Sequence, residues 1–192
     1  IKFDLIILSP GINHEKCRLN KFLKKNSKII YTDLDVFYSF NRNVCIAITG
    51  TNGKSTTCQL FYQVLKKQKY DVRLAGNIGY PILSIKNIRK DTIFVIEASS
   101  YQLEYSKLFR SKYAAILNIS PDHLERHKTI KNYISAKFKL IKNQNKYSTA
   151  FVNKFDKNVQ SKIKKIKYKS KIIKVDTKIK KNFINKFDNE YF

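Results

Sequence analysis

Residues 49–56 read TGTNGKST and directly follow a short apolar run, VCIAI, at 44–48. An apolar strand that leads through a glycine-rich turn into a helix can bind phosphate, because backbone N–H groups and the helix N-terminus then point at the anion. Gly50 and Gly53 can adopt the backbone angles that such a loop requires. The segment nearly matches the pattern G-x-x-x-x-G-K-[ST], but Ile48 stands where the first glycine would be. We interpret it as a phosphate-binding loop, with an ordinary glycine turn as the alternative.

The three residues after Gly53 have side chains that suit a nucleoside triphosphate. Lys54 would reach the β- and γ-phosphates, and the hydroxyl of Ser55 or Thr56 would meet Mg²⁺. In the alternative interpretation, Lys54 is a solvated surface lysine. The strand pattern before the loop and the helix pattern after it favour phosphate binding.

Two stretches further along the chain combine turn residues with polar side chains. GNIGYP (76–81) has glycines around Asn77, which suits a loop that passes close to a ligand but also suits an ordinary turn. Glu97 ends the apolar run TIFVIE (92–97), and the hydroxyl of Ser99 follows closely. Ligands gather at the carboxyl ends of strands in open α/β sheets, so Glu97 is placed to bind a metal ion. An acidic residue that favours a helix N-terminus is the alternative.

A fourth stretch, NISPDHLERH (118–127), also follows a predicted strand. His123 is a candidate metal ligand or phosphate partner, although a single histidine is more often structural. Asp122 can equally cap a helix. Lys137, on the helix that follows, is expected from first principles to be solvated.

These candidates are placed by an alternation of strand and helix patterns. Strands are predicted at 3–9, 28–31, 44–49, 92–97, 114–119, 148–153 and, in the lysine-rich tail, 171–175. Helices are predicted at about 16–25, 34–40, from the glycine loop to about 67, at 101–109 and at about 129–142. The alternation predicts an α/β fold, a mostly parallel sheet with helices on both faces. The tail from 154 onward is predicted to be either an edge hairpin or partly disordered.

Apolar periodicity predicts which face of two helices is buried. In the helix after the glycine loop these residues are Leu60, Phe61, Val64 and Leu65. In the helix at 129–142 they are Ile130, Tyr133, Ile134, Phe138 and Ile141.

Composition narrows the class of protein further. The formal net charge of +25 would suit a nucleic-acid partner, but the lysines are spread through the whole chain, so we expect no nucleic acid. No apolar run is long enough to span a membrane. Cys17, Cys45 and Cys58 have no metal-type spacing, which fits unpaired thiols in the cytoplasm. The chain begins with Ile1 and almost at once enters an apolar strand, which suggests a start inside a domain.

The order of these motifs resembles that of the Mur ligase family, ATP-dependent enzymes that form amide bonds in cell-wall synthesis. The resemblance rests on TGTNGKST (49–56), GNIG (76–79), EASSYQLE (97–104), NISPDHLERH (118–127) and AKFKLI (136–141). TGTNGK[ST] is the family's own loop variant, so the absent first glycine is expected there. SSYQLE is similar to the segment found in the family members that add D-glutamate.

The resemblance implies a reaction and a set of site residues. ATP would phosphorylate the carboxylate of UDP-N-acetylmuramoyl-L-alanine, and the amine of D-glutamate would attack the acyl phosphate. The implied ATP-binding residues are Gly50, Thr51, Asn52, Gly53, Lys54, Ser55 and Thr56. The implied catalytic residues are Lys54, His123 and Lys137. Ser55 and Thr56 with Glu97 would hold one Mg²⁺, and His123 with a carbamylated Lys137 would form a second metal site. Asn77, Ser99 and His123 would lie near the substrate.

The resemblance also implies a domain organisation. Residues 1–43, with LSPGI at 8–12, resemble the end of a UDP-binding Rossmann-like domain, and 44–192 resemble the central ATP-binding domain. The family's C-terminal domain is absent from this chain, so we expect a monomeric fragment without ligase activity of its own. The alternatives are a folylpolyglutamate synthase-like ligase, a basic nucleic-acid-binding P-loop protein and a non-catalytic nucleotide-binding remnant.

Overall fold

The strands form two parallel sheets. The computed structural model describes residues 3–13 and 15–177 of the chain. Its strands are β1 Ile6–Ile7, β2 Ile30–Tyr31, β3 Cys45–Thr49, β4 Val72–Gly76, β5 Ile93–Glu97, β6 Tyr113–Ile116, β7 Thr149–Asn153 and β8 Lys171–Val175. β1 and β2 pair with each other, and the other six strands form one sheet in the order β4-β5-β3-β6-β7-β8. Every pairing is parallel.

Helices connect most of these strands. They are α1 Asn20–Lys25, α2 Asp33–Phe40, α3 Lys54–Lys67, α4 Ser100–Tyr105, α5 Leu124–His127, α6 Ile130–Lys142 and α7 Lys157–Lys165. Short 3-10 helices lie at Ser27–Ile29 and Ile82–Ser84. No helix in the described ranges is long and apolar enough to cross a membrane.

The central strand β3 shows that both faces of the larger sheet are covered. Cys45 and Ala47 belong to the main core cluster, which also contains buried residues of α2, α4 and α6. Ile46 and Ile48, which alternate with them, belong to a second cluster with Cys58 of α3. Successive side chains of a strand point to opposite faces, so helices pack on both sides. The predicted α/β fold is confirmed.

The prediction for the buried face of α3 was wrong for Leu60, Phe61 and Val64, whereas Leu65 packs against the core as predicted. Leu60, Phe61 and Val64 are 56%, 44% and 54% exposed. The helix contacts the sheet through Cys58, with Tyr62 and Leu65 packed around it. These three residues follow the i, i+4, i+7 spacing of one helix face, and the sheet takes this face instead of its apolar neighbour. By contrast, the predicted apolar face of α6 is confirmed as packed against the core.

The N-terminal elements are shorter than predicted. The strand predicted at 3–9 pairs only at Ile6–Ile7, and the one predicted at 28–31 begins as a 3-10 helix and pairs only at Ile30–Tyr31. The helix predicted from 16 begins at Asn20. With a single partner strand among the described residues, little backbone pairing is available to extend either strand.

The helix predicted at 101–109 ends at Tyr105 because a buried carboxylate captures the next amides. Asp35 of α2 is 1% exposed, and its carboxylate accepts hydrogen bonds from the backbone N–H groups of Lys107, Leu108 and Phe109 at 2.8–3.1 Å. Those groups are therefore not available to continue the helix.

The described part of the tail, up to residue 177, contains a helix and a strand, and partial disorder of the tail stays a prediction. Residues 157–165 form α7, and β8 pairs in parallel with β7 as an edge strand, so the hairpin was wrong. The part of the tail beyond 177 lies outside the described residues. The opposite edge strand, β4, was missed in the sequence.

Candidate nucleotide and metal site

The glycine loop joins the carboxyl end of β3 to the start of α3. Gly53 caps α3 in a left-handed conformation, with φ 79°, which favours glycine. The adjacent Lys54 folds back so that its Nζ donates to the carbonyl oxygen of Thr51 at 2.7 Å. The loop is also tied to the segment after β6, since the backbone N–H of Asn52 donates to Oδ1 of Asn118 at 2.9 Å. A cation and a helix N-terminus therefore meet at one edge of the sheet.

Two predicted site residues, Ser55 and Asn77, contact a third, Glu97, which is the last residue of β5. Its side chain is buried, and Oε2 accepts a hydrogen bond from Ser55 Oγ at 2.7 Å. Oε1 accepts one from Nδ2 of Asn77, also at 2.7 Å. Asn77 can lie this close to Glu97 because the preceding residue, Gly76, has no side chain. A Cβ at Gly76 would lie 2.3 Å from the carbonyl oxygen of Glu97. Parallel strands β3, β4 and β5 end at the same edge, which explains why distant motifs converge.

Oxygen atoms of a carboxylate and a hydroxyl are ligands that suit Mg²⁺. Ser55 rather than Thr56 supplies the hydroxyl beside Glu97, and Thr56 lies exposed one residue further along α3. Across residues 3–13 and 15–177, no group of three or more His, Cys, Asp or Glu side chains is arranged to hold a metal ion. A magnesium ion at Glu97 would therefore complete its coordination with hydroxyl, water and phosphate oxygens, as Mg²⁺ commonly does.

Lys137 is buried, contrary to the first-principles expectation of a solvated lysine. It is 1% exposed, and its Nζ donates to the carbonyl oxygen of Gly50 at 2.7 Å. The same nitrogen lies 4.6 Å from the centre of the Tyr133 ring. Burial, reinforced by the nearby charge of Lys54, lowers the pKa of Lys137 to about 7. The structure thus brings a readily deprotonated amine to the underside of the glycine loop.

His123 lies at the start of α5, in the segment that follows β6. Its side chain is 45% exposed, with Nε2 3.4 Å from Asp122 and Nδ1 3.6 Å from Glu125. The ring lies 5.0 Å from the ring of Tyr101 and 6.4 Å from that of Tyr133. His123 and Lys137 are therefore both neighbours of the same buried tyrosine.

The hydroxyl of Ser99 caps α4. It accepts a hydrogen bond from the backbone N–H of Gln102 at 3.2 Å, and the backbone N–H of Ser99 donates to Oε1 of Gln102 at 3.1 Å. This reciprocal pair is a capping box. The structure thus shows a local structural use for Ser99, and its predicted contact with substrate stays a prediction.

Tyr133 was interpreted in the sequence only as a core residue of α6. It is 1% exposed, and its hydroxyl is 3.2 Å from Oγ1 of Thr51 in the glycine loop. Thr51 Oγ1 in turn donates to the carbonyl oxygen of Ser120 at 3.2 Å. Tyr133 therefore joins the loop, the His123 segment and Lys137. The available signal was its position four residues before Lys137, which places both side chains on one face of the helix.

The structure is thus an α/β domain built on a parallel sheet. A glycine loop lies at one edge of this sheet together with Lys54, Ser55 and Glu97, an arrangement typical of phosphate-binding loops. Residues 48–192 match the family profile described as the Mur ligase middle domain. The chain belongs to the Mur ligase family, as its motifs indicated.

Curated relatives agree with this membership. The chain is 43% identical over 161 residues to the UDP-N-acetylmuramoylalanine--D-glutamate ligase of Caldicellulosiruptor bescii, covering 82% of this chain and 35% of the relative. It is 43% identical over 153 residues to the ligase of the same name from Rickettsia prowazekii, covering 78% and 33%. The chain thus spans about a third of the length of these curated relatives.

Two solved structures share the fold. The UDP-N-acetylmuramate:L-alanyl-gamma-D-glutamyl-meso-diaminopimelate ligase from Neisseria meningitides has a TM-score of 0.63 at 14% identity, covering 89% of this chain and 58% of that one. The MurF ligase from Thermotoga maritima in complex with ADP has a TM-score of 0.55 at 15% identity, covering 88% and 47%.

Proposed function

We propose that this chain is the nucleotide-binding part of an ATP-dependent ligase that joins D-glutamate to UDP-N-acetylmuramoyl-L-alanine. The observation that carries the proposal is the convergence of Lys54, Ser55 and Glu97 at one sheet edge. The specific substrates are supported by relatives about 40% identical to this chain, which are named UDP-N-acetylmuramoylalanine--D-glutamate ligase. This support favours the proposed ligase over a folylpolyglutamate synthase-like enzyme.

The reaction consists of two displacements. A carboxylate oxygen of the muramoyl-alanine attacks the γ-phosphorus of ATP, and the bond to the bridging oxygen breaks to release ADP. The amine nitrogen of D-glutamate then attacks the acyl carbon, loses a proton, and inorganic phosphate leaves as the amide forms. Both steps bring anions together, so the protein must mainly supply positive charge.

Lys54 and the N-terminus of α3 supply that charge at the glycine loop. We assign the backbone of Gly50, Thr51, Asn52 and Gly53 to the phosphates of ATP. Lys54 Nζ donates to Thr51 in this structure, and we assign it to a bound phosphate, toward which it would turn by rotation about its side-chain bonds. As negative charge moves toward the leaving phosphates, this cation stabilises the transition state more than the ground state.

A magnesium ion at Ser55 and Glu97 would offset the repulsion between the carboxylate and the γ-phosphate. The fit rests on the two oxygens that already lie 2.7 Å apart. Thr56 is assigned to the same ion with less support, because the hydroxyl that contacts Glu97 is that of Ser55.

We assign Lys137 and His123 to a second metal site. A lysine becomes an oxygen ligand when its neutral amine adds carbon dioxide and forms a carbamate. The lowered pKa of about 7 supports this assignment, because a substantial fraction of the amine is then neutral near physiological pH. The side chain of His123 is 45% exposed, so a ligand can reach it.

The substrate side is assigned to Asn77, Ser99 and His123, and residues 1–43 to the end of a UDP-binding domain. Asn77 supports this, since it lies beside Glu97 at the sheet edge. We further propose that the ligase is a cytoplasmic monomer that uses neither nucleic acid nor membrane as a partner.

The proposed function is tested with the complete ligase that contains this chain. Phosphate release should require Mg-ATP, UDP-N-acetylmuramoyl-L-alanine and D-glutamate together. Release that continues without D-glutamate, or that is supported by a folate in place of the muramoyl substrate, would refute the assignment.

A further inference from the structure

α5 is a single helical turn whose two ends are conformationally unfavourable. It spans Leu124–His127, with His123 as its N-cap at φ 52° and Lys128 as its C-cap at φ 64°. Left-handed conformations are uncommon for residues other than glycine, and they persist where the surrounding structure holds them. An isolated turn of this length is not stable by itself. The contacts that hold α5 therefore determine where His123 lies.

Arg126 provides the first of these contacts. It is only 9% exposed, and its Nε donates to Oε2 of Glu104 on α4 at 2.8 Å. Its Nη1 donates to the carbonyl oxygen of Pro10 at 2.7 Å. The guanidinium also lies 4.2 Å from the ring centre of Tyr101. One side chain thus links α5 to α4 and to the N-terminal segment.

His127 provides the second contact. It is 3% exposed, and its Nε2 shares a hydrogen bond of 3.0 Å with Oγ of Ser100, the first residue of α4. Leu124 is 39% exposed, and Glu125, whose side chain is 68% exposed, accepts a hydrogen bond from the hydroxyl of Tyr101 at 3.2 Å at the surface. Arg126 and His127 are accordingly the two buried residues of the turn.

We propose that Arg126 and His127 are positioning residues that together hold His123 at the edge of the site. The side chain of His123 is itself 45% exposed, and its charged neighbours Asp122 and Glu125 are 42% and 68% exposed. Because Arg126 also binds the carbonyl of Pro10, the position of His123 is coupled to the N-terminal segment. The catalytic consequence rests on the proposed ligase function, whereas the anchoring of α5 does not.

The anchoring is tested in this chain by amide hydrogen exchange of Arg126→Lys and His127→Ala. Lysine cannot reproduce the forked geometry with which arginine binds two acceptors. We expect the amides of residues 126–128, which donate to His123 and Leu124, to exchange at least about 10-fold faster, with α6 unchanged. The matched control is Lys128→Gln, because the adjacent Lys128 pairs with Glu15 through a side chain that is 64% exposed. Exchange equal to that of the control in both variants would overturn the proposal.

The positioning role is tested by steady-state kinetics of the complete ligase. Arg126→Lys and His127→Ala should lower kcat by about 10- to 100-fold, as loss of an orienting contact commonly does, with the KM for ATP unchanged. His127→Gln, which can still bond Ser100, should recover most of the rate. A parallel rise in the KM for ATP, or no recovery with glutamine, would show a general structural role instead and overturn the proposal. A wild-type ligase without turnover would refute the proposed function, while the exchange experiment would still decide the anchoring.

Discussion

Two lysines contact the glycine loop from different elements, and they have different environments. Lys54 Nζ donates to Thr51 and Lys137 Nζ to Gly50, both at 2.7 Å. Lys54 begins α3 and is half-buried, whereas Lys137 is fully buried on α6. Burial lowers the pKa of Lys137 to about 7, and the nearby charge of Lys54 adds to this effect. The loop thus contacts a half-buried lysine from α3 and a buried, readily deprotonated amine from α6.

Lys54→Ala should reduce turnover of the complete ligase by about 100-fold or more, because the charge that stabilises the transferring phosphoryl group is removed. Coupled measurement of phosphate release will show this. Lys67→Ala, at the exposed end of the same helix, serves as the control and should retain the wild-type rate. A near-normal rate for Lys54→Ala would contradict the assignment of the loop.

Lys137 should make the stability of this chain depend on pH. Its pKa is lowered to about 7 in the folded state from 10.5, so between these values the unfolded state binds more protons. The contribution of Lys137 to the free energy of unfolding should therefore rise with pH over this range, by at most about 1.4 kcal/mol per pH unit. As the pH falls toward 7, this gain in stability should be lost. Urea unfolding of wild type and Lys137→Met, in buffers free of carbon dioxide, isolates the effect. Parallel stability curves for the two proteins would contradict it.

At the scale of elements, the junction of α2 and α4 depends on one buried carboxylate. Asp35 accepts hydrogen bonds from three successive backbone amides, from the N–H of Thr32 and from the hydroxyl of Ser106. These bonds end α4 and place it against α2. α4 carries Ser99 at its N-cap and Glu104 near its end, so the same junction supports the site.

Asp35→Asn should destabilise the chain by about 2–4 kcal/mol, because an amide presents N–H groups to donors that have no other acceptor. Asp33→Asn is the matched control on the same helix. Asp33 accepts one side-chain hydrogen bond, from Gln102. Its replacement by asparagine should therefore lower the free energy of unfolding by about 1 kcal/mol or less. Denaturant unfolding will compare the two variants, and equal losses would argue against the role of Asp35.

The elements also show where sequence patterns reach their limit. The pattern of α6 identified its buried face, because apolar residues occupy one side of that helix. In α3 apolar residues occupy two sides, and the sheet took the side of Cys58 rather than that of Leu60 and Val64. The edge strand β4 was missed because Arg73 interrupts a short apolar segment that has only one neighbouring strand.

At the scale of the whole molecule, one edge of a six-stranded sheet collects the candidate residues of five separate motifs. The parallel order β4-β5-β3 brings Asn77, Glu97 and Ser55 together, and β6 next to β3 brings Asn118 to the loop. The chain covers about a third of its curated relatives, so this edge is described without the remaining two thirds of a related ligase.

The isolated chain should bind Mg-ATP weakly and show no ligase turnover. The physical reason is that the residues proposed for the site on this chain would bind phosphates, whereas the acceptor amine must also be positioned for attack. Isothermal titration should detect binding at millimolar Mg-ATP, and the phosphate-release assay should stay at background. Turnover by this chain alone would show that it already contains the complete site.

The sequence by itself determined the family, the glycine loop, the alternation of strands and helices, and the order of the polar motifs. These properties can be read along the chain, because they depend on residue type, on spacing within each element and on the order of the motifs. Only the tertiary structure decided that Lys137 is buried, that Asp35 ends α4, and that Tyr133 joins the loop to α6. Each of these depends on which distant segments pack against a residue. Burial and hydrogen-bond partners are set by that packing, which no local spacing records.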